Sequence, residues 1–186
     1  MWVVLAQGPV RVHNSSSSNL TLASIKTTPQ ETLGDKPRGF WYAIGGSWLE
    51  WMQSNMPKWE GAYDYLLEVD ESALKIINTQ EGLVQFTREY GAPISRFEDR
   101  HRINWARVAH EFKGIEIPEY LSYDTVTQWY VPSGCIWDAS AIRSLELVQR
   151  RDAPVGPETY LKGVPQNETS LTPETPSWML EPQGEK

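Results

Sequence analysis

Few polar groups in this chain combine residue type and position in a way that could do chemistry. His13 ends the run Val10-Arg11-Val12-His13, where apolar and polar residues alternate with the period of a half-buried strand. Trp41 and Tyr42 lie in a second short run, Gly39-Phe40-Trp41-Tyr42-Ala43, and alternation lets only one of the two rings face any one cleft. A third run is Ser133-Gly134-Cys135-Ile136-Trp137-Asp138. Glu116, flanked by Ile115 and Ile117, points away from both in a strand, so it is a candidate cleft carboxylate; the alternative is an exposed strand carboxylate or a partner for Lys113 or Arg107. Lys36 and Arg38 precede the aromatic run and read either as anion-binding charges or as solvated loop residues.

Several chemistries are excluded. The chain has no Gly-x-Gly-x-x-Gly, no phosphate-binding Gly-x-x-x-x-Gly-Lys-Ser/Thr, no Gly-x-Ser-x-Gly and no His-Glu-x-x-His. Histidine occurs only at positions 13, 101 and 110, beside a single cysteine, so no structural zinc site and no metal is expected. Cys135 lies in an apolar strand pattern, the setting of a buried inert thiol, and one cysteine cannot form an intrachain disulfide.

These residues need elements to position them. Asn19 is expected to cap a short helix through Leu20, Leu22, Ala23 and Ile25, and residues 27–38 read as loop. After Gly45-Gly46, Ser47 is a candidate N-cap for a helix carrying Trp48, Trp51 and Met52 as far as Pro57. Residues 62–69 and 74–77 read as strands that pair across Asp70-Glu71-Ser72. Thr79 should cap a helix with Leu83, Phe86 and Tyr90 on one face and Gly91 at its end. Residues 104–112 repeat that pattern with Trp105, Val108, Ala109 and Phe112, and residues 115–117, 128–131, 135–137 and 144–148 supply further strands.

The whole chain has 186 residues, of which 40% are hydrophobic, enough for one domain with a real core. Its nine Trp, eight Tyr and four Phe bring large buried area and flat surfaces for stacking. A formal net charge of −7 disfavours bulk binding of nucleic acid. The first residues lack the basic start of a secretory signal and no run is long enough to span a membrane, so a cytoplasmic protein without membrane partners is expected. The domain is expected over residues 1–153. Residues 154–186, rich in Pro, Glu and Thr, read as a flexible tail in which Trp178 marks a lone apolar cluster, a chance patch or clasp on one reading and a docking peptide on the other.

Taken in order, the three runs resemble the signature strands of the ADP-ribosyltransferase superfamily, in the branch that includes the poly(ADP-ribose) polymerases. His13-Asn14-Ser15 is similar to its strand-end His-Gly-Ser/Thr, and Gly39-Phe40-Trp41-Tyr42-Ala43 followed by Ser47 resembles its Gly-Ile-Tyr-Phe-Ala and Ser-bearing helix. The run from Ser133 to Asp138 resembles its Glu-Tyr-Ile-Val-Tyr-Asp strand, with Ser133 at the catalytic glutamate position. The resemblance implies an α+β fold of two packed, mostly antiparallel sheets around an NAD cleft, with short peripheral helices. It also implies that His13 binds the adenosine ribose, Asn14 and Ser15 the nicotinamide amide, Trp41 or Tyr42 the nicotinamide ring, and Arg38 with Lys36 the pyrophosphate; Gly39 and Ser47 belong to the same cofactor-binding set. Ser133 supplies no charge for the oxocarbenium-like transition state, which makes Glu116 the candidate replacement. The activity implied is NAD-dependent mono-ADP-ribosyl transfer to a macromolecular acceptor, protein slightly ahead of nucleic acid. The alternatives are an inactive NAD- or nucleotide-binding module, or a small inhibitor or adaptor.

Overall fold

The computed structural model describes residues 8–94, 97–121 and 129–150, with no side-chain description for 93–100, 149 and 150. The expected tail, its Trp178 cluster and Gln128 lie outside the described residues. Within them, strand β1 (Arg11–Ser15) leads to β2 (Phe40–Ile44), helix α1 (Ser47–Asn55), β3 (Tyr63–Val69) and β4 (Leu74–Ile76). Then follow α2 (Gln80–Tyr90), β5 (Gly91–Ile94), β6 (Phe97–Ile103), α3 (Trp105–Glu111), β7 (Gly114–Ile117), β8 (Ser133–Ile136) and β9 (Ile142–Arg150).

The α+β class is as the sequence implies, but the layering differs from two packed sheets. Seven strands form one mixed sheet in the order β4-β7-β8-β2-β1-β3-β9, and β5 with β6 forms a separate two-stranded ribbon. The β4–β7 pair is parallel; the other neighbours in the large sheet are antiparallel. Strands β3 and β4 therefore do not pair with each other, and they stand toward opposite ends of the sheet. Asp70 explains the separation: its side chain accepts from the Ser72 N–H and starts a 3-10 turn over Glu71–Ala73, which turns the chain away from a hairpin.

Other boundaries shift for local reasons. The region after Asn19 gives only a 3-10 turn at Leu22–Ser24, closed by reciprocal bonds between Thr21 and Ser24. Gly46 is the N-cap of α1, while Ser47 donates its hydroxyl to the Pro132 carbonyl at 2.8 Å and staples the helix to the entry of β8. Gly91 ends α2 at φ −84°, extended rather than left-handed, and continues directly into β5. Thr79 and Asn104 cap α2 and α3 as expected. Residues 129–131 are not a strand.

Both faces of the sheet are covered, which sets the direction of every side chain on it. On one face Ile115, Ile117 and Cys135 pack against Phe86, Trp105 and Val108 from α2 and α3, with Trp129 and Trp137. On the other, Tyr42, Ile44, Leu67, Leu74, Ile136 and Ile142 form a second cluster. Apolar burial at roughly 25 cal/mol per Å² makes these two layers the main source of stability. Among the described residues, no helix is long and apolar enough to cross a membrane.

Candidate functional site

The sheet opens where β1 and β2 part. β1 pairs with β2 only at Arg11 and Val12, yet it keeps pairing with β3 as far as Ser15, and β2 keeps pairing with β8 back to Phe40. His13 occupies the point of divergence. Its Nδ1 lies 2.7 Å from the Trp41 carbonyl oxygen, which can only accept, so Nδ1 carries the proton. Phe40 lies against the imidazole with ring centroids 4.1 Å apart, and burial lowers the His13 pKa against the opposing pull of the Trp41 carbonyl and Asp64. The neutral ring therefore leaves Nε2 as an acceptor.

A cleft of about 440 Å³ fills the gap. Cross-strand register puts Val12, Ala43 and Ser133 in one row on its floor, with Trp41 two residues along from Ala43 on the same face. Trp48 from α1, Trp59 from the Pro57–Trp59 turn and Tyr130 complete an aromatic wall, and Lys36, Pro37 and Arg38 form one side. Trp41 is thus the aromatic residue of β2 that faces the cleft; Tyr42 borders it but turns its ring to the opposite face. Gly39 adopts φ +153°, and a Cβ there would overlap the Ile136 carbonyl, so the aromatic strand can start this close to β8 only with glycine.

The residues implied by the resemblance divide into two groups. His13, Asn14, Arg38, Trp41, Tyr42 and Ser133 line the cleft, whereas Ser15, Gly39, Ser47 and Glu116 do not. Asn14 spends its amide on the chain: it donates to the Gly61 carbonyl and to Asp64 Oδ1 at 2.7 Å, and it accepts from Gly61 N–H at 2.6 Å. Ser15 accepts from the Ser17 N–H. Ser133 donates its hydroxyl to the Val131 carbonyl at 2.8 Å.

Glu116 departs furthest from expectation. It does point away from Ile115 and Ile117, but toward the face opposite the cleft, because it pairs across the sheet with Gly134 while Ile117 pairs with Ser133. There it is 1% exposed and receives two bonds from Arg11, at 2.6 and 2.9 Å, and a third from the Tyr42 hydroxyl at 2.7 Å. Arg11 also reaches Glu71 at 2.7 Å. Burial opposes the Arg11 charge, yet bonds to Glu116 and Glu71 hold its pKa above the ordinary value; burial and the Glu116 charge push Tyr42 well up. Gly134 makes the arrangement possible, since a Cβ there would overlap the Tyr42 ring and hydroxyl. This is a buried structural network, and Glu116 cannot serve as the cleft carboxylate from it. No local pattern announces the pairing of Arg11 and Glu116, which are 105 residues apart.

Lys36 is the residue whose position the sequence leaves most open. Its Nζ sits among aromatic faces, 5.2 Å from the Trp41 centroid, 5.9 Å from Trp129 and 5.8 Å from Tyr130. Burial pulls this amine well below its ordinary value, with a smaller opposing effect from Cys135, whose own thiol burial pushes well up. Arg38 pairs with Glu31 at the rim. No Asp or Glu lines the cleft among the described residues, and no group of three metal-ligating side chains occurs among them. No protein-family model, curated protein or solved structure matches this chain.

Proposed function

We propose that the cleft binds NAD or a closely related adenine nucleotide, in a domain organised like the ADP-ribosyltransferases, and that its primary role is ligand recognition. The observation that carries this reading is the convergence of His13, Trp41 and Ser133, from three strands that neighbour one another in the sheet, on one aromatic-walled cleft. A neutral imidazole can accept from a ribose hydroxyl, and aromatic walls accept flat bases. The absence of a carboxylate from the described cleft lining favours binding over chemistry, because cleavage of a glycosidic bond calls for negative charge beside the developing cation.

Mono-ADP-ribosyl transfer to a macromolecular acceptor is the second reading, supported by the same adjacency of the three strands. One pair of measurements separates the two. Calorimetry should detect binding of ADP-ribose to the purified chain, and nicotinamide release from NAD should stay at background with and without cell extract. Release that depends on extract would promote the transferase; no binding of ADP-ribose or NAD would remove both readings.

A further inference from the structure

The cleft leaves one rung of the sheet unmade. The Gly45 N–H donates to the Val10 carbonyl and Val12 pairs with Ala43, so the next rung of this ladder would join Asn14 to Trp41. The strands part there instead. Successive residues of a strand turn their main-chain groups to opposite edges, which puts the N–H and carbonyl of Asn14 and the N–H of Trp41 on the two sides of the gap, while the Trp41 carbonyl accepts from His13. Two strand edges and a wall of Trp41, Trp48, Trp59 and Tyr130 thus face one space of about 440 Å³. Edges of this kind take up an extended chain, and the wall beside them takes its alternate side chains.

We propose that the occupant of these edges is a segment of this same chain, residues 176–180, which docks in the cleft as an extended strand and competes there with the nucleotide. The competition rests on the nucleotide-binding reading; the docking does not. Position favours it: Arg150 pairs with Tyr63 and Tyr63 with Ser15, so β9 ends two strand spacings, roughly 10 Å, from the residue that follows Asn14. Residues 151–175, at up to about 3.5 Å each, can bridge that distance and turn back. Composition favours it too. Trp178-Met179-Leu180 is the lone apolar cluster of residues 154–186, and in an extended chain Trp178 and Leu180 share one side, where both can meet the aromatic wall. Glu174 and Glu181 flank the cluster, and no Asp or Glu lines the cleft among the described residues to repel them.

A synthetic peptide of residues 174–182 should bind the full chain carrying Trp178→Ala in titration calorimetry. Adding Trp59→Ala to that chain trims an exposed part of the wall and should weaken the peptide about five-fold or more. A tethered segment acts at an effective concentration of about 1 mM, so a peptide that binds in trans at about 100 μM implies ADP-ribose affinity about ten-fold tighter in Trp178→Ala than in the parent chain. Trp178→Phe, which keeps an aromatic ring, should stay close to the parent. No binding of the peptide, or equal ADP-ribose affinities in the parent and Trp178→Ala chains, would overturn the docking. A gain from Trp178→Ala that grows with chain concentration would overturn the intrachain assignment and seat the segment in a second copy. If the peptide binds and Trp59→Ala weakens it, but no chain binds ADP-ribose or NAD, the docking stands and the nucleotide-binding reading fails.

Discussion

His13 holds the sheet together at the place where it opens and offers its free nitrogen to the cleft. Unfolded, an imidazole takes up a proton as pH falls through about 6.5; folded, burial delays that uptake to lower pH. The unfolded state thus binds more protons in this window, and the contribution of His13 to stability, complete above about pH 6.5, is lost as pH falls through its lowered value. Urea unfolding followed between neutral and mildly acid pH should show the loss, and His13→Asn, which keeps a donor for the Trp41 carbonyl without titrating, should flatten that part of the curve. Glu116 belongs to a different account. Glu116→Gln leaves a buried guanidinium short of its main partner, and breaking such a pair costs about 3 kcal/mol. The loss should appear in the unfolding midpoint while affinity for ADP-ribose stays within about two-fold, since Glu116 does not line the cleft.

At the scale of elements, the cleft depends on β1 and β2 diverging while each keeps its outer neighbour. Asn14 stabilises that geometry by bonding to Gly61 and Asp64 and fixing the turn that leads from Trp59 into β3. Asn14→Ala should remove its bonds to buried Asp64 and half-buried Gly61, cost about 1–3 kcal/mol, and loosen the Trp59 wall. Tryptophan emission at the cleft should shift red, and ligand affinity should fall with it. The strand runs around His13, Trp41 and Cys135 were legible because alternation of apolar residues is a local signal, and α2 and α3 were legible from their caps and spacing. The β3–β4 pairing was misread because the Asp70 turn looks like a hairpin in sequence, whereas the partners of β4 and β7 are chosen by packing across the sheet. The direction of Glu116 had the same cause. Alternation fixes which neighbours a side chain avoids, but only the register with β8 decides which face it then meets.

Across the whole molecule, the two faces of the sheet carry different duties, and a ligand can report on them separately. One face presents Trp41 and Ser133 to the cleft; the other buries the Arg11, Glu116 and Tyr42 network beneath the second apolar cluster. A ligand that binds only the folded chain stabilises it by about 2.7 kcal/mol at a hundred-fold excess over its dissociation constant, which for a domain of this size raises Tm by roughly 5–10 °C. The parent chain with ADP-ribose should show that rise. Glu116→Gln should melt lower but gain the same increment, whereas Trp41→Ala should lose most of the increment, because it removes the cleft wall. A Glu116→Gln increment as small as that of Trp41→Ala would mean that the two faces are coupled through β2, and that the buried network holds the ligand site in shape as well as the fold.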